Sequence, residues 1–272
     1  MFNSLSVYMP LHIVNIGIPL IMIPIADIAL CRLFGSTARW FQLHSFVNFL
    51  ITIVLFRDIA DFYTDPLFSI KYFHEEEYMD KCSSIFNSNS YISNSIYNYN
   101  NHNISDCLSF ISTYNKLDTY FIIILHLYHA LTFRSLTKMD YIHHIVFVGC
   151  GVIPSAIYIK SNIVRLGFVA GCGFTGIIEY ASLALVKNGK MTSLYQKKLN
   201  SLMYSYIRCP LAMFGCAFNY VFYASGLLPH DNPYMVFYIN LMMYINSTFY
   251  TRLTIENYAQ VKGRYVADKH SV

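Results

Sequence analysis

Charge is what this sequence has least of. Asp, Glu, Lys and Arg make up only 12% of its 272 residues, against roughly 25% in a soluble globular domain. That shortage argues against a water-soluble domain and for a polytopic membrane protein. No basic stripe accompanies the net charge of +4, so no nucleic-acid partner is expected. The first apolar segment lacks a basic n-region and a small-residue cleavage site, and it exceeds the length of an h-region. It is read as a retained span and not as a signal peptide. Tryptophan occurs once, while Tyr and Phe number 24 and 21. Tyrosine suits the headgroup level, with an apolar ring and a wet hydroxyl.

Apolar residues are abundant instead, at 55%, with a mean hydropathy of +0.39. They gather into segments at about 8–31, 40–56, 119–134, 142–159, 163–186, 203–228 and 234–252. Most approach the ~20 residues that cross a bilayer core as a helix. With no water to satisfy backbone groups in lipid, helices are the reading for runs of this length. The fold expected is all-α: a transmembrane helix bundle of about seven spans.

Charge in the connections predicts orientation. Arg32 and Arg39 lie in the first connection, and Lys187, Lys190, Lys197 and Lys198 in the fifth. Connection 57–118 carries four basic and nine acidic residues, including Glu75, Glu76 and Glu77. Positive-inside reasoning then puts the N-terminus in the lumen and the C-terminus in the cytosol. The long connection 57–118 is therefore lumenal. It is low in complexity from Asn87 to Asn103, offers a glycosylation sequon at Asn103, and has Cys82 and Cys107 placed to form a disulfide or remain thiols.

Polar residues inside apolar runs are costly and mark candidate sites. His44 and Asn48 are one turn apart on the second segment. His126 and His129 share a face of the third. His143 and His144 open the fourth, three residues after Asp140. An imidazole there could serve as a general base near neutral pH. His143, His144, His129, Asp140 and Glu179 are the candidate catalytic residues; His44, Asn48 and His126 are candidate binding residues. Single membrane histidines also serve as plain interhelical hydrogen-bonding groups. Glu179 lies too far along its segment from Arg165 to pair with it, which leaves a partner on another span or protonation. Arg208 is expected to snorkel to the cytosolic surface, and Asp27 to lie near the headgroups. No metal site is expected, because the HxxxH and HxxHH boxes of membrane di-iron oxygenases are missing.

Several of these residues carry a resemblance. The run Arg39-Trp40-Phe41-Gln42-Leu43-His44 with Asn48, then Tyr128-His129, Asp140-Tyr141-Ile142-His143-His144, and Asn162-Ile163-Val164-Arg165-Leu166-Gly167 resembles the TLC (TRAM, Lag1 and CLN8) domain. The resemblance covers about 36–255, six spans with one more in front (1–35), and leaves 256–272 as a cytosolic tail. It implies a multi-pass protein of the endoplasmic reticulum or a related endomembrane, with membrane lipids as partners and a role in lipid handling or sensing. The Lag1 branch, the ceramide synthases, implies an acyl-CoA co-substrate and a sphingoid base, and otherwise no cofactor. This chain departs from that branch where its later His-Asp pair would fall, near Phe174-Thr175. A His-ligated metal oxidase of lipids and a seven-span receptor or transporter remain as other readings.

Overall fold

A computed structural model describes residues 2–64, 116–133, 136–159, 164–226 and 232–270. All regular structure among them is helical: α1 (Phe2–Phe34), α2 (Arg39–Thr64), α3 (Leu117–Thr132), α4 (Lys138–Tyr158), α5 (Val164–Gly171), α6 (Phe174–Lys187), α7 (Ser193–Met203), α8 (Cys209–Ala224) and α9 (Pro233–His270). Among the described residues, the apolar segments of the sequence fall mainly on helix. Among the described residues, four helical stretches are long and apolar enough to cross a membrane: Ile13–Phe34, Arg39–Phe56, Lys138–Tyr158 and Gly167–Lys187, the last across the α5–α6 junction. Leu117–Thr132 is apolar but shorter. Helices of this length and composition are the mark of a membrane protein.

Helix ends follow ordinary chemistry. Gly35 (φ +80°) stops α1, its N–H donating to the Cys31 carbonyl at 3.0 Å. After α6, the amides of Gly189 (φ +69°) and Lys190 donate to the carbonyls of Val186 and Leu185, a Schellman closure that needs the left-handed glycine. Thr192 then caps α7 by accepting from the Tyr195 amide. Thr137 and Asp140 form a capping box at the start of α4.

Two stretches widen into π-helix: His143–Val152 within α4, and Tyr204–Arg208 between α7 and α8. Each ends two residues before a proline, Pro154 or Pro210. Proline has no N–H to give, and its ring crowds the carbonyl four residues back. The wider turn is a local way to relieve that conflict. The Cys150 carbonyl, four residues before Pro154, accepts from the Tyr238 hydroxyl of α9 at 2.7 Å.

The core lies where α1, α2 and α3 meet. Ile23, Leu43, Val47, Ile51, Leu55, Phe121, Ile122 and Leu125 are almost wholly buried there. The outward face is also apolar: Ile13, Ile21 and Ile25 of α1, Phe56 of α2, and Phe237 of α9 are all more than half exposed. A patch of that kind fits lipid and not water.

Buried charges tie the helices together. Asp27 of α1 accepts from Arg39 of α2 and from the Tyr128 hydroxyl of α3. Asp118 of α3 pairs with Arg165 of α5 at 2.9 Å. Asp27 is 1% exposed and is the acceptor that joins three helices.

Other boundaries differ from those read in the sequence. The fifth apolar segment breaks at Cys172-Gly173 into α5 and α6. The sixth is preceded by the polar helix α7, continuous with it. The last helix runs on to His270, so residues 256–270 prolong it. Asn103, Cys82 and Cys107 lie outside the described residues.

Candidate functional site

The two π stretches carry the most unusual side chains in the chain. His143 and His144 open the first, on the turn directly after the Thr137–Asp140 cap. Asp140 Oδ2 accepts from the Thr137 amide at 2.7 Å and its hydroxyl at 2.8 Å. The carboxylate thus fixes where α4 begins, and with it the direction of both imidazoles.

Opposite stand His126 and His129 of α3. His126 Nδ1 donates to the Ile122 carbonyl at 2.6 Å. That bond sets the tautomer, because a carbonyl only accepts. In a neutral His126 the other nitrogen, Nε2, is then an acceptor. It lies 2.9 Å from His143 Nε2, which must donate. His143 Nδ1 is left as an acceptor and lies 3.2 Å from the Tyr250 hydroxyl of α9. A single direction of hydrogen bonding thus runs Tyr250, His143, His126, Ile122 O. Beside it, His129 Nδ1 and His144 Nε2 are 3.2 Å apart.

Trp40, the single tryptophan, packs the histidines in place. Its ring stacks on His129 with centroids 3.3 Å apart and meets His44 edge-on at 3.5 Å. His44 also lies 4.3 Å from the Tyr180 ring. It is 2% exposed, and its Nδ1 has no hydrogen-bond partner within the protein.

A second polar group comes from the other π stretch. Arg208 Nη1 donates to the Tyr204 hydroxyl, and that hydroxyl donates to Glu179 Oε2. Arg208 and Glu179 approach to 3.9 Å. The guanidinium also sits over the rings of Tyr204 and Tyr250, at 4.5 and 5.5 Å. Glu179 therefore has partners on another helix, one of the two outcomes open to it. The expectation that Arg208 snorkels to the surface is corrected: it is 6% exposed and pairs inward, because an inward carboxylate and two aromatic faces are within its reach.

Between these groups lies a cavity of about 140 Å³, lined by His44, Asn48, His126, Met139, Asp140, His143, Gly171, Cys172, Glu179, Tyr180, Tyr204, Arg208 and Tyr250. Of the residues singled out in the sequence, His44, Asn48, His126, Asp140, His143 and Glu179 share this wall. His129 and His144 do not line it and stand behind it, against Trp40 and each other. Sequence reasoning did not assign a site role to Tyr180, Tyr204, Arg208 or Tyr250. The i, i+4 spacing of Tyr204 and Arg208 was the available signal. The close approach of α2 and α6 that closes the cavity rests on Gly176, where a Cβ would stand 2.4 Å from Asn48 Nδ2.

Among the described residues no group of three or more His, Cys, Asp or Glu side chains could hold a metal ion. His126 has both ring nitrogens already bonded within the protein. What the arrangement offers is acid–base chemistry and hydrogen bonding in an apolar shell. The buried Thr175 hydroxyl donates to the Ala170 carbonyl at 2.6 Å, and Phe174 is half exposed.

No family model matches the chain, and no curated protein or solved structure matches it.

Proposed function

We propose that this chain is a seven-span, TLC-type protein of an endomembrane that handles or senses membrane lipid, and that it modifies a lipid headgroup in the cavity beside His143. The observation that carries the reading is the directed chain Tyr250–His143–His126–Ile122 O on the cavity wall. A lone buried imidazole is commonly a hydrogen-bonding residue of helix packing. Here the tautomer of His143 is dictated from behind by a backbone carbonyl, which leaves a basic nitrogen facing the cavity. A hydroxyl or amine of a headgroup that takes the place of the Tyr250 hydroxyl would donate to His143 Nδ1, which would take that proton as the oxygen or nitrogen attacks an electrophilic centre and return it to the departing group. The Nε2–H of the resulting imidazolium would then bond more strongly to His126. His129 and His144 hold the wall in register with Trp40, and His44 offers Nδ1 to the bound headgroup. Orientation with the N-terminus lumenal and the C-terminus cytosolic belongs to the same proposal and rests on the charge of the connections.

Transfer of an acyl group from acyl-CoA to a sphingoid base ranks second. Its support is the Lag1-like run from Asn162 to Gly167. Against it stands the hydroxyl of Thr175, already engaged by the Ala170 carbonyl.

The test is lipid profiling of cells that lack ceramide synthase and express either the chain or its His143→Ala/His144→Ala form. A lipid change seen with the wild type and lost in the variant is expected. The same change in both would overturn the catalytic reading, and restored ceramide would promote the second one.

A further inference from the structure

Two arginines of the bundle are matched side-on by a carboxylate. Arg39 donates from Nε to Asp27 Oδ1 at 2.8 Å and from Nη2 to Asp27 Oδ2. Arg165 donates from Nε and Nη2 to the two oxygens of Asp118, at 3.3 and 2.9 Å. These two nitrogens form one edge of the guanidinium, a fork whose spacing fits two oxygens of a carboxylate or a phosphate. Arg208 leaves that edge unmatched. Its hydrogen bond within the protein runs from Nη1 to the Tyr204 hydroxyl, and Nη1 is also the atom that approaches Glu179. Among the described residues, Arg208 Nε and Nη2 have no acceptor.

Arg208 is only 6% exposed. A guanidinium taken out of water with its fork unmatched is costly. The fork is not sealed in the packing, however. Arg208 lines the cavity, and Nε and Nη2 are open to it. Two more unspent groups line the same cavity. The Asn48 amide, on a residue 4% exposed, and the Tyr180 hydroxyl make no hydrogen bond among the described residues. Asn48 Nδ2 stands against Gly176, where no side chain intrudes. The carboxylates of the wall are already engaged: Glu179 Oε2 accepts from the Tyr204 hydroxyl, and Asp140 Oδ2 from the Thr137 cap. What stays unspent is a set of donors beside one fixed positive charge, and such a set binds an oxyanion. In a membrane lipid headgroup the common oxyanion is phosphate.

We infer that the cavity takes a phosphate, held side-on by Arg208 Nε and Nη2 and bonded by Asn48 Nδ2 and the Tyr180 hydroxyl, so that the lipid handled is a phospholipid. The inference rests on the reading that this cavity receives a lipid headgroup. It names the chemical class of that headgroup and gives it two ends: the phosphate on the Arg208 wall, and the hydroxyl or amine toward His143. A lipid without phosphate leaves the fork empty.

The test is native mass spectrometry of the full chain in detergent micelles, titrated with phosphatidylglycerol, with diacylglycerol of the same chains, or with inorganic phosphate. Phosphatidylglycerol should bind roughly tenfold or more tightly than diacylglycerol. Equal affinities would overturn the inference, and this comparison needs no substitution. Inorganic phosphate bound as tightly as phosphatidylglycerol would overturn the assignment to a lipid. Two variants then locate the site. Arg208→Lys keeps the charge and loses the fork, and Asn48→Leu keeps the size and loses the amide. Each should weaken phosphatidylglycerol roughly tenfold and leave diacylglycerol unchanged. Unchanged phosphatidylglycerol binding in both folded variants would overturn the site. Fork-dependent binding by a chain that converts no lipid would uphold it and remove only the catalytic reading of His143.

Discussion

His126 and His143, seventeen residues apart and on different helices, place their Nε2 atoms 2.9 Å from each other. One must donate and the other accept, and the Ile122 carbonyl decides which. That constraint makes the pair more than two polar groups sheltering from lipid. It leaves one defined acceptor, His143 Nδ1, on the cavity side.

Replacement of the histidines should therefore have graded effects. General-base catalysis contributes about 10²–10⁴-fold, so His143→Ala should reduce the rate of lipid conversion within that range. His126→Ala should lower it through loss of the anchor behind His143. His144→Ala should cost less, because His144 does not line the cavity. Time-resolved lipid profiling of membranes with matched protein levels measures the order. Equal losses in all three variants would contradict the assigned geometry.

The Glu179–Tyr204–Arg208 group predicts a stability effect separate from activity. Removing one partner of a fully buried ion pair costs about 3–5 kcal/mol, whereas removing both with apolar replacements is often neutral; with the Glu179 side chain 22% exposed, the cost here lies below that range. Arg208→Met should lower the thermal midpoint of the detergent-solubilised chain, and Glu179→Gln/Arg208→Met should recover most of the loss. Thermal unfolding followed by intrinsic fluorescence decides it. A double variant as unstable as Arg208→Met would mean that the two charges are not coupled.

Three glycines should respond differently to alanine. At Gly167 the added Cβ meets the end of the Met243 side chain, which can swing away. At Gly176 it meets Asn48 at 2.4 Å, and at Gly173 it meets the Val169 carbonyl oxygen at 2.8 Å. Overpacking of the latter kind costs about 1–3 kcal/mol. The expected order of destabilisation is Gly173→Ala and Gly176→Ala well above Gly167→Ala, read from the same melting curves.

Orientation gives a prediction in the cell. With connection 57–118 in the lumen, Asn103 becomes a glycan acceptor, and Asn103→Gln should abolish the mobility shift caused by endoglycosidase. A tag after Val272 should be reachable by antibody once the plasma membrane alone is permeabilised. A protected C-terminal tag would reverse the proposed topology.

Much of this was legible in the sequence because it depends on local composition. Runs of apolar residues have one backbone solution in lipid, so the helices at 8–31, 40–56 and 142–159 needed only hydropathy. His126 and His129 share a face by spacing alone, and the Thr137–Asp140 cap is a four-residue pattern. The break at Cys172-Gly173 and the π turns before Pro154 and Pro210 were signalled by residue type but not located by periodicity. What the tertiary structure decided is partnership. Nothing near Glu179 in the chain foretells that its partner is Arg208, twenty-nine residues on, and nothing near Asp27 foretells Arg39 and Tyr128. A buried charge takes whichever opposite charge the packing of helices brings within reach, and that depends on the whole bundle. The same holds for the cavity, whose wall joins six helices and two π turns that composition alone does not assemble.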